Sequence, residues 1–565
     1  MPVLKLKEAL IRDGILKQEE LVQYEAEAVR LGQDLSDVLL SRSLVTQIYL
    51  NELSAGFYGV PAANLLLRKI DPAVVKLLPE EIAREKRAIV FNKLESGELE
   101  VAIQDPNNLQ TIEYLSRFLN IKLKIYLASA DDLNKGFNFY GAEQAQDFKK
   151  IIEENINLSL KTKLADSVSE AALELPIVAL VDNLVSYALS SRASDIHIEA
   201  LEEEVLVRFR VDGILNEIIR IPKLVHPAVI ARIKLLAALK LDEHTRPQDG
   251  RFRYKIASEA VDIRVAIMPT FYGEKMVLRL LNDSARPLSL EELGFLEDHV
   301  KLINESLKKT YGMVLMTGPT GSGKTTTIYS LISILNKPGV NIVTIEDPIE
   351  YDMKYVNQTQ INPDSGITFA SGLREFLRQD PNIIMVGEIR DGDTAKIAAQ
   401  ASLTGHLLLS TVHTNDASTA VPRLIDLGLE NFFVANVLSM VEAQRLVRRI
   451  CPECIATFTP EASMVDILKK QLKLSNLPEI IPKIFYKGAG CAACNKTGYK
   501  GRIGIFEILV VDEEVRREII SPNFQLEDLR VILKKHGMIT IFEDGLRKVE
   551  RGMTTLEEVL RAISI

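Results

Sequence analysis

Apolar residues recur at helical spacing through residues 1–60, and the pattern occurs twice. Ala9-Leu10-Ile11, Ile15-Leu16 and Leu21 return 29 positions later as Val38-Leu39-Leu40, Leu44-Val45 and Leu50. Each unit reads as helix, short turn, helix, which predicts a small helical subdomain of two similar hairpins. Between Asp71 and about Tyr140 the period changes. Short apolar runs at Ala88 to Phe91, Leu99 to Ile103 and Ile121 to Leu127 alternate with amphipathic stretches near Gln110 to Phe118 and Asp131 to Phe137, an α/β arrangement. Residues 141–172 are polar, with one glycine and no proline, and read as a linker that is at least partly helical. From Leu173 to about Leu281 apolar and polar residues alternate at Ile196, Ile198, Val205, Val207, Phe209 and Val211, the signature of strands with one wet face. A helix from His226 to Leu239 lies among them. Arg264 and Arg279 also sit inside strand patterns, fifteen residues apart and separated by a turn at Pro269 to Glu274, so a hairpin would bring both guanidiniums to one sheet edge. Beyond residue 290 the apolar runs Met313 to Thr317, Asn341 to Ile345, Ile383 to Val386 and His406 to His413 are buried strands, and after Arg502 the chain reads as mainly helical. The resulting division is an N-terminal region (1–140), the linker, an α+β domain (173–285) and a C-terminal domain (286–565) carrying an insertion at about 451–501.

The strand at Met313 to Thr317 runs into Gly318-Pro319-Thr320-Gly321-Ser322-Gly323-Lys324-Thr325-Thr326, and an apolar helix pattern follows to Leu335. Strand, glycine loop and helix in that order match the nucleotide-phosphate loop in full. Glycines let backbone N–H groups turn onto phosphate, and the helix N-terminus adds its positive dipole end. Lys324 would then reach the β- and γ-phosphates of ATP, and the Thr325 hydroxyl would ligate Mg²⁺. Three further strands deliver ionisable groups at their C-terminal ends, where ligands bind in open α/β sheets: Glu346, Glu388 and His413. Phosphoryl transfer needs such a set, with one carboxylate to orient water and another to hold Mg²⁺ or its waters. Glu346 is assigned the first role and Glu388 the second, with the reverse order left open.

A length of 565 residues requires several domains. With 47% hydrophobic and 26% charged residues the composition is that of a water-facing globular protein. No apolar stretch reaches the roughly 18 residues of a membrane span. Nothing resembling a signal peptide follows Met1, so the cytoplasm is the expected compartment. Sixty-eight basic against seventy-seven acidic residues give a net charge of −9, which argues against a motor that grips nucleic acid over its whole surface, and no nucleic-acid partner is expected.

Cys451-Pro-Glu-Cys454 and Cys491-Ala-Ala-Cys494 contain all four cysteines of the chain, 36 residues apart. Two such knuckles supply four thiolates for a tetrahedral Zn²⁺ site. Disulfides conflict with the expected compartment, and a redox dithiol needs only one pair.

Together these motifs resemble the secretion-type ATPases, and specifically the type IV pilus assembly (extension) ATPases with their relatives of type II secretion. Thr344 to Glu350 is similar to the family's aspartate box, Gly387-Glu388-Ile389-Arg390-Asp391 to its Walker B, and Thr404-Gly405-His406 through His413-Thr414-Asn415 to its histidine box. The tetracysteine insertion resembles that of the assembly and secretion members and not the shorter retraction ATPases. The resemblance implies a multidomain α/β fold: an N-terminal docking domain, a PAS-like second domain and a RecA-like P-loop ATPase core. It also implies a homohexamer, peripheral to the inner membrane through a platform protein, that uses ATP, Mg²⁺ and Zn²⁺, and it places Arg264 and Arg279 at the nucleotide. A type II secretion ATPase differs by partner and not by chemistry, and stands as the alternative; a DNA-translocating motor is the third reading. Some N-terminal domains of the family bind cyclic di-GMP through paired motifs beginning Arg-Leu-Gly. Arg30-Leu31-Gly32-Gln33-Asp34-Leu35 resembles the start of one, although its later Gln position does not line up and the preceding repeat lacks the triplet.

Overall fold

The computed structural model describes residues 3–31, 34–41, 44–65, 68, 70–94, 96–137, 150–156, 158, 174–256, 259–282, 287–458 and 485–563. The chain forms two compact units, residues 1–62 with 286–565, and residues 63–285.

Residues 3–58 form four helices, Val3–Arg12, Gln18–Leu31, Leu35–Ser41 and Gln47–Tyr58. The repeat of the sequence is a repeat of core positions, since Leu10 and Leu39 are fully buried, and Leu21 and Leu50 are 1% and 6% exposed. Thr46 accepts a hydrogen bond from the Tyr49 N–H and so caps the last helix, which ends at Gly59 in the left-handed conformation. Of the Arg30-to-Leu35 stretch that resembles a cyclic di-GMP motif, Gly32 and Gln33 lie outside the described residues.

In the second unit, β1 (Ala88–Lys93) pairs antiparallel with β2 (Leu99–Ile103), and β2 pairs parallel with β3 (Leu123–Leu127) through the helix Leu109–Leu119. Most of the stretch read as a linker, 141–149, 157 and 159–172, lies outside the described residues. Ile152 and Ile156 within it are buried in the core of the following domain, so that segment is packed and not a free tether. That domain is a six-stranded antiparallel sheet of β4 (Ala193–Ala200), β5 (Glu204–Val211), β6 (Ile214–Pro222), β7 (Gln248–Ile256), β8 (Glu259–Thr270) and β9 (Gly273–Asn282), in the order β6-β5-β4-β9-β8-β7. Ile196, Ile198, Val207, Phe209, Ile263, Val265 and Leu278 make its apolar face, packed with residues of helices Leu175–Ser190 and His226–Leu236. The alternation read from the sequence is this division into an apolar and a wet face.

The C-terminal domain is built on β10 (Gly312–Thr317), β11 (Ile342–Glu346), β12 (Val356–Gln360), β13 (Ile383–Val386), β14 (Leu407–Val412) and β15 (Leu438–Ile450). The hairpin β16 (Ile455–Phe458) and β17 (Phe485–Gly488) and the long strand β18 (Tyr499–Val510) follow. The sheet order is β12-β11-β13-β14-β10-β15-β18, parallel except for β18. Two helical layers cover its faces, each with its own apolar core. Here the structure corrects the sequence reading. The segment after Arg502 is first a strand: Ile505, Phe506, Ile508 and Leu509 are all buried, because a run apolar on both faces suits a covered strand. Helices begin only at Glu513, after Asp512 caps their start. The core therefore extends past residue 450, and the cysteine segment is the connection between the antiparallel partners β15 and β18. The outer edge of β18 is closed by side chains. Asp544 accepts from the Phe506 N–H at 2.8 Å, and Lys548 Nζ donates to the Gly504 carbonyl at 2.7 Å, in place of a further strand.

Candidate functional site

The C-terminal end of β10 opens into the glycine loop. Gly318, Gly321 and Gly323 have φ of 142°, 79° and 95°, values L side chains rarely adopt. A Cβ on Gly318 would lie 2.5 Å from the Gln444 carbonyl oxygen, so the loop needs glycine there for close approach as well. Pro319 is half-buried, Thr320 and Gly321 are exposed, Ser322 is buried, and helix Lys324–Leu335 starts directly behind them. Thr325, in its first turn, is half-buried and Thr326 exposed. Lys324 folds back over the loop, its Nζ donating to the carbonyls of Gly318 at 2.8 Å and Pro319 at 3.1 Å. Burial pushes this ammonium below the usual lysine range, and the Glu388 and Glu442 carboxylates pull it back up. The arrangement fits a phosphate group. The Ser322 hydroxyl is buried without a hydrogen-bond partner among the described residues, the lysine rests on carbonyls it can leave, and a helix N-terminus faces the loop.

Parallel pairing of β11 with β13, of β13 with β14 and of β14 with β10 puts their C-terminal ends on one sheet edge. At the end of β11, Glu346 is 2% exposed. It accepts from the Tyr329 hydroxyl, from Thr344 Oγ1 at 2.5 Å and from Gln358 Nε2 at 3.1 Å. A carboxylate has about four lone-pair sites, so three donors leave one for water. Beyond β13, Glu388 lies between Arg390, at 2.5 Å, and His413 Nε2, at 3.1 Å. The structure thus brings Glu388 and His413 together. His406 lies at the opposite end of β14, its Nδ1 2.9 Å from the Ala401 carbonyl, and does not join them. Sequence reasoning did not find Tyr329, Gln358 or Gln444. Arg390 stands inside the quoted Walker B segment, where its charge beside Glu388 was the available signal.

The four cysteines converge, with every Sγ within 4.8 Å of the others and neighbouring pairs at 3.7–3.8 Å. Four thiolates about 2.3 Å from a central Zn²⁺ have tetrahedral edges of roughly 3.8 Å. The cluster therefore fits zinc, and these separations are far too long for disulfides. Backbone N–H groups of Gly490, Cys491 and Gly498 point at Cys454 and Cys494 sulfurs at 3.1–3.3 Å, which favours thiolate charge. Gly488 and Gly498 hold the two knuckles close, because a Cβ on Gly488 would meet the Gly498 carbonyl oxygen at 2.0 Å.

In the second unit, Arg264 of β8 lies directly opposite Arg279 of β9. The row continues across the wet face through Arg251, Asp195 and Arg210. Asp195 accepts from Arg279 Nε at 3.1 Å and lies 3.5 Å from Arg210 Nε. The row thus sets four arginines beside one carboxylate, which itself contacts Arg279 and Arg210, and guanidiniums are groups suited to phosphate.

Residues 170–561 match the family model described as type II/IV secretion system protein, and residues 58–147 match the MshEN domain. The type IV pilus assembly ATPase PilB of Myxococcus xanthus is 37% identical over 563 residues, 98% of each chain. The type II secretion system protein E of Dickeya dadantii is 39% identical over 497 residues, 87% of this chain and 97% of that one. The X-ray structure of the Legionella pneumophila ATPase DotB shares the fold at a TM-score of 0.50 and 22% identity, over 67% of this chain and 94% of that one. No helix among the described residues is long and apolar enough to cross a membrane. With the phosphate loop, the carboxylates on its sheet edge and the cysteine cluster in place, this chain belongs to the type II/IV secretion system protein family and is an ATP hydrolase that uses ATP and Mg²⁺.

Proposed function

We propose that the chain is the ATPase that powers type IV pilus assembly, acting in the cytoplasm as a homohexamer docked on an inner-membrane platform protein. The observation that carries this reading is the alignment with a pilus assembly ATPase along 98% of both chains. Type II secretion ATPases match a shorter part of this chain at similar identity, 39% over 87%, and that system remains the alternative. When bound, Mg²⁺-ATP supplies the phosphoanhydride to be split. Lys324 leaves the Gly318 and Pro319 carbonyls for phosphate oxygens, and the Thr325 hydroxyl and Glu388 serve Mg²⁺ directly or through its waters. Glu346 orients the attacking water with its remaining lone pair, and His413 keeps Glu388 aligned.

Arg264 and Arg279 supply charge to the γ-phosphate from the α+β domain, so that hydrolysis reports on domain position. Cyclic di-GMP as a ligand of the N-terminal region rests on the resemblance at Arg30 to Leu35, which precedes the MshEN match.

Deletion of the gene, complemented by wild-type or Lys324→Ala protein, tests the pilus reading. Surface pili should vanish and return only with the wild type. Pili that persist while secreted enzymes accumulate inside the cell would overturn it in favour of type II secretion. The arginines are tested by steady-state ATPase assays of Arg264→Gln and Arg279→Gln with the hexamer verified. A fall in kcat is expected, whereas exposed strand residues without this role would leave it unchanged.

A further inference from the structure

The glycine loop is held from outside by a residue far away in sequence. Gln444 of β15 is 1% exposed, and its side chain touches both the glycine loop and the helix that follows it. Its Nε2 donates to the Ser322 carbonyl at 2.6 Å, and its Oε1 accepts from the Thr327 hydroxyl at 2.8 Å. The amide orientation follows from chemistry. The Ser322 carbonyl can only accept, so the NH₂ group must face it, and Thr327 is left with the oxygen. A Cβ on Gly323 would come within 3.0 Å of the same Nε2, so the loop lies tightly against this side chain.

This contact fixes a direction. The Ser322 carbonyl and the Gly323 N–H belong to one planar trans peptide and point opposite ways. With the carbonyl tied to Gln444, the Gly323 N–H is turned away from β15, towards the phosphate side of the loop. Gly323 sits at φ 95° and lacks a Cβ, so this peptide has little conformational preference of its own. Released, it is free to rotate and present a carbonyl where a phosphate oxygen should be received.

We propose that Gln444 is a positioning residue for nucleotide binding, a peptide-plane lock that keeps the Ser322–Gly323 amide in its anion-binding orientation, with Thr327 setting the orientation of the lock. The proposal rests on the nucleotide reading of the glycine loop. Three variants of the full chain test it: Gln444→Met, which keeps size and drops both hydrogen bonds; Gln444→Glu, which places a second acceptor against the Ser322 carbonyl; and Thr327→Val, which frees the amide without touching the loop. The measurement is titration with a fluorescent ADP analogue, alongside the melting temperature and the hexamer.

Gln444→Met should weaken binding about tenfold, as loss of a buried hydrogen bond does, and Thr327→Val should weaken it in the same direction by less. Gln444→Glu should bind worst at pH 8 and recover towards wild type as the pH falls and the protonated carboxyl regains a donor, a profile that a merely structural role would not produce. Should Gln444→Glu fail to fold, the other two variants decide. Folded Gln444→Met and Thr327→Val proteins whose dissociation constants stay within about twofold of wild type would overturn the lock. Wild-type protein that binds no nucleotide at all would instead overturn the reading of the loop itself.

Discussion

Glu442 is the least supported ionisable group in the described C-terminal domain, and replacing it should stabilise the protein. It lies on β15 opposite Met316 of β10 and Ile508 of β18, is 1% exposed, and neither carboxyl oxygen has a hydrogen-bond partner among the described residues. Burial holds its acid dissociation well above the usual carboxylate range, against the opposing pull of Lys324 and Lys548. The sign follows from linkage. Below pH of about 4 the group is protonated in both folded and unfolded chains, and the cost is that of one unpartnered buried polar group, about 1–3 kcal/mol. As the pH rises further, only the unfolded chain gives up its proton, so folding stability falls by about 1.4 kcal/mol per pH unit until the folded group also ionises. Glu442→Met keeps the length of the side chain among Met316 and Ile508 and removes both costs. At pH 5 the expected gain is about 1–3 kcal/mol, and at pH 8 it is larger. At about 2–4 °C per kcal/mol for a domain of this size, the melting temperature should rise by several degrees at pH 5 and by more at pH 8. Thermal melts of zinc-replete protein at the two pH values measure it. A variant melting at or below wild type at pH 8, or with an unchanged difference between the two pH values, would refute the reasoning.

Lys324→Ala should reduce ATP turnover about 10²- to 10³-fold with the assembly intact, as loss of a preorganised electrostatic contact does, and near wild-type turnover would remove the glycine loop from the mechanism. Glu388→Gln should slow hydrolysis and prolong nucleotide occupancy, since the amide keeps the shape between Arg390 and His413 but not the charge; single-turnover assays reading neither effect would reverse the assignment of the two carboxylates. The four cysteines should carry one zinc per chain, measurable by metal analysis of protein purified without chelator. Because such a site contributes on the order of 10 kcal/mol of apparent binding energy, Cys491→Ser should unfold the connection between β15 and β18 locally while nucleotide binding survives.

What the sequence alone determined was whatever is encoded within a few residues. The glycine loop was legible because Gly318 to Thr326 carry their own conformational requirements, the zinc site because each knuckle is only four residues long, and the helical repeat because Leu10 and Leu39, or Leu21 and Leu50, recur at one spacing. The carboxylates were legible because each ends an apolar run. What only the tertiary structure decided joins residues far apart. Gln444 meets Thr327 across 117 positions, and nothing in an isolated glutamine on an apolar strand announces that contact. Tyr329 and Gln358 reach Glu346 only once β11 lies between β12 and β13 with the helix after the loop on top. The strand β18 was hidden because a short apolar run is compatible with either a buried helix or a covered strand, and the choice is made by the free edge of β15 that it completes. The sequence placed Arg264 and Arg279 in one hairpin, but their membership in a row with Arg251, Asp195 and Arg210 depends on strand register, which no local pattern encodes: register is fixed by the whole apolar face of the sheet packing at once.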